Sequence, residues 1–432
     1  MKNLNKFQVI VIAIFALGII GGVAVLALTR AGVSEGGLGQ VSMWGPFDTA
    51  QFNSFVAGAN TKIADPLSRV KISYTQKDPL TFENELLEAI AEGRAPDLIM
   101  LPHESILSYY NRVLLLPYTA YPEGTFLDSF VEGAELFKFP GGIAALPFAI
   151  DPMVMYWNRD IFTNAGVSVP PSTWESFPAL SKLISKRDEN FNISQSLVAF
   201  GEYRNVENAK EMLSLLLLQR GNPIMALRGG AVVPTITNPD VPNAISFFTA
   251  FADPTNEVYS WNRALPQDKD HFLLGKLALY FGYASEAKDL RSKNPNLNFD
   301  VALLPQLESA PRKVTYGRMY GVAVLKSTPR ASDALATLVA LVTPDAASTW
   351  VTVSGMAPIR RDVLLERPTD RLGSISYDSA LLARGWLEPK PALADMVFSN
   401  LIDSITAGKQ RITEAVNRAS QELEAAVAGI VF

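Results

Sequence analysis

The stretch ALPFAIDPMVMYWNRD, residues 145–160, constrains this chain more than any other. Met153 to Trp157 is dense in β-formers and apolar on both faces, which predicts a buried strand. Pro147 and Pro152 bracket the run that precedes it, and Asp151 sits inside the apolar sequence. Proline has no N–H to give to a ladder, so the stretch is not expected to be an ordinary central strand throughout. A chain of 432 residues exceeds one ordinary core and implies two lobes.

Composition narrows the class. Charged residues make up 19% and hydrophobic residues 48%, the balance of a folded protein. Net charge is −5 and no long basic run exists, which argues against nucleic acid as a partner. There is no cysteine, so disulfides, thiolate metal sites, a cysteine nucleophile and a lipid-modified cysteine are all excluded. His103 and His271 are the two histidines, too few for a multi-histidine metal site within one chain. His103-Glu104 starts like HExxH, but Leu107 occupies the second histidine position. His271, near Asp268 and Asp270, reads as a solvated helix start. Neither a metal nor a cofactor is called for.

Residues 9–28, VIVIAIFALGIIGGVAVLAL, carry no charge and follow Lys2 and Lys6. As a helix they span about 30 Å, the thickness of a bilayer core. Residues 1–30 are therefore expected to be an uncleaved signal anchor, with a cleaved signal peptide as the alternative. Lys2 and Lys6 place the N-terminus inside and the rest of the chain outside the cell membrane, as a single-pass protein. Residues 31–40 read as a flexible linker.

Residues 41–102 alternate strand, helix, strand, helix, strand. In the second helical stretch Phe82, Leu86 and Ile90 share one face. This alternation implies a parallel sheet with helices on both sides. Ligands bind beyond the carboxyl ends of such strands. Here those ends carry Trp44 to Asp48, Gln76 to Asp78, and His103 with Glu104. Residues 150–274 are richer in helix. Strands return at 277–285, 298–306 and 314–326, and two helices broken at Gly408 fill 391–428.

These pieces together resemble the extracellular solute-binding proteins of ABC importers, in the family 1 branch that binds maltose-like carbohydrates and glycerol-phosphate compounds. The resemblance is carried by AEGRAPDLIML at 91–101 and by 145–177, which matches a crossover between lobes. FLLGKLALYFGYASEAKDL at 272–290, NFDVALLPQ, YGRMYGVAVLK and GMAPIRRDV at 355–363 extend it. It implies an α/β, two-lobe, periplasmic-binding-protein-like (type II) fold after one N-terminal transmembrane helix. Lobe one is expected over 41–149 plus 275–325, and lobe two over 150–274 plus 326–432. Pro147, Asp151 and Pro152 then mark the hinge, with Asp151 making a structural hydrogen bond.

The resemblance implies a cleft for a small molecule, expected to be a mono- or oligosaccharide. Aromatic rings suit sugar faces, and carboxylates and arginines suit hydroxyls. Trp44, Asp48, Glu104, Tyr203, Tyr283, Arg318 and Trp386 are the expected ligand-binding residues. Arg318 stands where the family commonly has glycine or tryptophan. The implied partners are the permease subunits of an ABC importer, and the protein is expected to be a monomer and not an enzyme. The competing readings are a binding protein for a glycerol phosphodiester, polyamine, iron complex or peptide, a sensor ectodomain, and an enzyme using Asp48 and Glu104 as a carboxylate pair.

Overall fold

The computed structural model describes residues 40–60, 71–428, 430 and 432. The apolar segment 9–28 and the anchor expected there lie outside those residues. Among the described residues no single helix is long and apolar enough to cross a membrane.

The principal strands are β1 (Gln40–Gly45), β2 (Lys71–Gln76), β3 (Leu98–Pro102), β4 (Leu146–Asn158), β5 (Ile193–Val198), β6 (Leu277–Tyr283), β7 (Phe299–Ala302) and β8 (Thr315–Val324). They form one mixed sheet in the order β2-β1-β3-β8-β4-β6-β5, with β7 also against β4. β1 pairs in parallel with both β2 and β3, as the strand–helix alternation requires. Between them run α1 (Thr49–Asn60) and α2 (Phe82–Ala91). Phe52 and Phe55 of α1, and Phe82 and Leu86 of α2, are buried against the sheet. Buried Asp97, just before β3, accepts from the N–H and hydroxyl of Ser42 and from Thr328 and Arg330. It ties β1 to the segment that follows β8.

The proline-bracketed stretch is a single strand of 13 residues, buried along its whole length. Met153 to Trp157, the expected strand, is part of it, and the ladder continues through the proline-bearing half that was not expected to be ordinary central strand. The prolines fall where the ladder can spare a donor. Pro147 stands opposite Gly321, at a register shift between Tyr320 and Gly321. Pro152 is the last residue paired with β8, and Met153 is the first paired with β6. β4 therefore runs beside β8 in its first half and between β6 and β7 in its second.

These pairings bear on the expected lobe boundaries. β6, expected in lobe one, pairs with residues 153–157 and with β5. Residues 326–354 were expected in lobe two. Their two helices, Ala331–Leu341 and Pro344–Ser354, place the ring of Trp350 5.0 Å from that of Phe148 and 5.5 Å from that of Phe55. Strand density along the chain does not reveal which strand a segment will join. The C-terminal helices, Pro391–Thr406 and Ile412–Val427, break at Gly408 as expected and pack in lobe two against Ala209–Gln219 and Val241–Ala250.

His271 also departs from expectation. It is buried rather than solvated, with its ring 5.3 Å from that of Trp261. Burial pushes its imidazole down to about 4, so it packs as a neutral ring. Among the described residues no group of His, Cys, Asp and Glu side chains is arranged to hold a metal ion.

Candidate functional site

β3 ends at Pro102 and the chain turns at once into a short helical segment, His103–Ser105. That turn carries the Glu104 side chain inward, where it is 4% exposed. β8 lies antiparallel to β3, with Tyr320 opposite Pro102. Arg318, two residues earlier on the same face of β8, reaches Glu104: its Nε donates to Oε1 at 2.9 Å. The Arg318 Nη2 is 3.5 Å from Oε1 of Glu211, on the first turn of the lobe-two helix Ala209–Gln219. The guanidinium also lies over the ring of Tyr283, 4.6 Å from its centroid, at the carboxyl end of β6. One arginine on a crossover strand thus joins a carboxylate from each lobe across an aromatic face.

A second pair lies behind the first. Lys210 Nζ is 2.8 Å from Oε2 of Glu388, and both side chains are buried. Glu388 is placed by the segment 385–388, which crosses His103 so closely that a Cβ on Gly385 would lie 2.1 Å from His103 Nε2. Only glycine fits there.

The charges act on one another because little water reaches them. Burial raises the cost of ionising Glu104, but the cations Arg318 and Lys210 oppose it and the carboxyl is held below its ordinary value. Burial pushes Glu388 up, with Glu104 and Glu211 adding to the effect against the pull of Lys210. Burial pushes His103 down to about 4. The Met319 N–H donates to His103 Nδ1 at 3.3 Å, which fits a neutral ring protonated on Nε2. Asp151, opposite Arg318 in the β4–β8 ladder, accepts from the Ser285 hydroxyl at 2.5 Å and the Ser285 N–H at 3.1 Å. Burial still pushes Asp151 up to about 6.

Among the described residues Glu388 Oε1 and Tyr283 Oη have no hydrogen-bond partner, and Glu104 Oε2 makes no hydrogen bond but lies 3.2 Å from His103 Nδ1.

Of the residues expected from sequence, Glu104, Tyr283 and Arg318 are in direct contact, with Asp151 beside them. Tyr203 and Trp386 stand at the lobe-two side. The Tyr203 hydroxyl donates to Asp395 at 2.5 Å, and Trp386 Nε1 donates to Ser214 at 3.1 Å. Trp44 lies at the end of β1, with Lys77 Nζ 4.0 Å from its ring centroid and Phe82 at 6.5 Å. Asp48 is exposed and accepts from the Gln51 N–H at 2.9 Å at the start of α1. Sequence reasoning missed Lys210, Glu211, Glu388 and Tyr320. The sequence NAKEMLSLLLL did carry a signal for two of them: adjacent charges opening an otherwise apolar helix. Tyr320 is half-buried and packs 4.8 Å from Phe47, which extends the aromatic wall on lobe one.

Comparison with known proteins agrees with this architecture. The chain is 22% identical to a binding protein of Brucella abortus (strain 2308) over 419 residues, 91% of this chain and 93% of that one. A maltotriose-binding protein of Pyrococcus abyssi is 30% identical over 169 residues, 39% of this chain and 36% of that one. Among solved structures, the cyclic α-maltosyl-1,6-maltose binding protein of Arthrobacter globiformis superposes with a TM-score of 0.73 at 18% identity, over 90% of this chain and 99% of that one. A cyclo/maltodextrin-binding protein complexed with maltotetraose gives 0.72 at 16% identity, over 91% and 98%. The two-lobe α/β fold is therefore that of periplasmic binding proteins. Residues 58–372 match the family model for bacterial extracellular solute-binding proteins, and the chain belongs to that family.

Proposed function

We propose that this protein captures a carbohydrate outside the cytoplasm, in the cleft between its lobes, and delivers it to the permease subunits of an ABC importer. The observation that carries this reading is the junction at Arg318. There, Glu104 and the unpaired hydroxyl of Tyr283 lie beside a guanidinium that touches a carboxylate from each lobe. A carboxylate oxygen accepts a sugar hydroxyl strongly, and an arginine donates to a ring or glycosidic oxygen. The solved relatives named above bind maltose-type oligosaccharides, which supports the ligand class.

In this reading Glu104, Tyr283 and Arg318 form the floor of the site. Trp44, Asp48, Tyr203 and Trp386 form its walls. Pro147, Asp151 and Pro152 on β4 limit where the crossover bends when the lobes move about the ligand. Residues 9–28 anchor the chain in the membrane, and one copy acts alone. The ligand is released unchanged, so no residue serves as a catalyst.

Thermal unfolding of the purified protein against a panel of oligosaccharides tests the reading. A ligand present at ~100 times its dissociation constant stabilises by ~2.7 kcal/mol, a visible midpoint shift. One saccharide class should give that shift and be recovered intact. A shift only with amino acids, peptides or phosphodiesters would overturn the ligand class, and a hydrolysed saccharide would overturn the binding role.

A further inference from the structure

Phe432 joins two parts of the fold that lie at different ends of the main sheet. Its N–H donates to the carbonyl of Gly230 at 3.1 Å. Gly230 is at the tip of a hairpin in which Met225–Arg228 pairs with Ala231–Pro234. That hairpin packs against the helix Ile412–Val427, which packs in turn on Val241–Ala250. Phe248 of the latter lies 4.9 Å from Phe200, just after β5, and Phe200 lies 5.5 Å from Phe281 of β6. The backbone of Phe432 is thus tied to the β5–β6 end.

Its ring meets the other end. The ring stacks on Phe139 at 5.0 Å and 25°, and meets Tyr110 edge-on at 4.7 Å and 76°. Tyr110 and Phe139 are themselves 4.7 Å apart. Both are fixed beside β8 and the start of β4. The Leu114 N–H donates to the Val324 carbonyl at 2.8 Å, Leu116 bridges to Ile143, and Phe139 pairs with Gly142 shortly before β4 begins.

A bend of β4 and β8 that moves the Tyr110–Phe139 pair away from the hairpin must break either the ring contacts or the bond to Gly230. Stacked and edge-on aromatic pairs contribute beyond the area they bury. A contact made in one of two arrangements shifts the balance toward that arrangement. We infer that Phe432 is a clasp between the lobes, holding the arrangement in which Arg318 touches both Glu104 and Glu211. The inference rests on the two-lobe reading above and not on the class of ligand.

The chain has no cysteine, so two introduced cysteines can be spin-labelled selectively. Leu80→Cys, after β2, and Leu183→Cys, on the helix Phe177–Ile184 beside β5, are exposed sites at opposite ends of the sheet. Pulsed electron double resonance on the full chain, with no ligand added, reads the distance between the labels. In Phe432→Ala the population at the distance of this arrangement is expected to fall about tenfold relative to the rest. Phe432→Tyr keeps the ring and should match the parent. Should Phe432→Ala fail to fold, Phe432→Leu takes its place, keeping apolar volume without a ring face. A distance distribution in the ring-deleted variant equal to that of the parent, or an equal change in Phe432→Tyr, would overturn the inference. No sugar enters the measurement, so failure of the carbohydrate panel leaves this result standing.

Discussion

The Arg318 guanidinium lies over the Tyr283 ring at 4.6 Å while its Nε holds Glu104 at 2.9 Å. One face of the Tyr283 ring is therefore covered by a side chain of the protein itself.

Arg318→Ala removes the partner of a nearly buried carboxylate. Breaking a buried pair costs about 3–5 kcal/mol, but Arg318 is 32% exposed, so about 2–3 kcal/mol is expected. Arg318→Lys should recover less than half of that, because one ammonium cannot reach Glu104 and Glu211 as a planar fork does. Urea unfolding midpoints measure both. A midpoint for Arg318→Ala equal to that of wild type would show that water already compensates Glu104.

Trp350 anchors the lobe-one core, with its ring 4.7 Å from Phe47, 5.0 Å from Phe148 and 5.5 Å from Phe55. Trp350→Ala should cost about 3–5 kcal/mol through the cavity it leaves. Its Nε1 has no hydrogen-bond partner. Trp350→Phe therefore loses only volume and should cost about 1–2 kcal/mol. Chemical denaturation of the two variants separates the cases, and equal losses would mean that the indole N–H has a partner after all.

Asp151 links stability to pH. Its folded value of about 6 exceeds the unfolded value near 3.9, so between them the native state binds more protons. The Asp151 contribution to stability is thus largest in acid and declines as pH rises through that window. His103, lowered to about 4, acts in the opposite sense: its contribution is lost as pH falls from about 6.5. Asp151→Asn cannot ionise. Its stability relative to wild type should rise by about 2 kcal/mol between pH 4 and pH 7, less whatever the Ser285 hydrogen bonds contribute. Unfolding measured across that range decides, and a flat difference would mean that Asp151 titrates normally.

Much of the site was legible at the level of individual strand ends. Glu104 follows β3 and was expected near the ligand from its strand end, whereas Tyr283 at the end of β6 and Arg318 on β8 were expected there from the family resemblance. That these three touch depends on β8 lying beside β3, a pairing between residues more than two hundred positions apart. Lys210, Glu211 and Glu388 escaped notice for a related reason. Charges at a helix start and in a loop ordinarily face water, and nothing local says that three chain segments will close over them.

By itself the sequence determined the alternation of strands and helices in the first lobe, the helix breaks at Gly93 and Gly408, and the family. It did so because side-chain period, glycine backbone freedom and proline's missing donor act within a few residues. The tertiary structure decided that Leu146–Asn158 is one strand with two sets of partners. It also decided that β6 joins residues 153–157 and β5, that Trp350 packs on Phe148, and that buried carboxylates surround Arg318. Those outcomes follow from which edges and faces meet when the whole chain packs, and no short window of sequence contains that information.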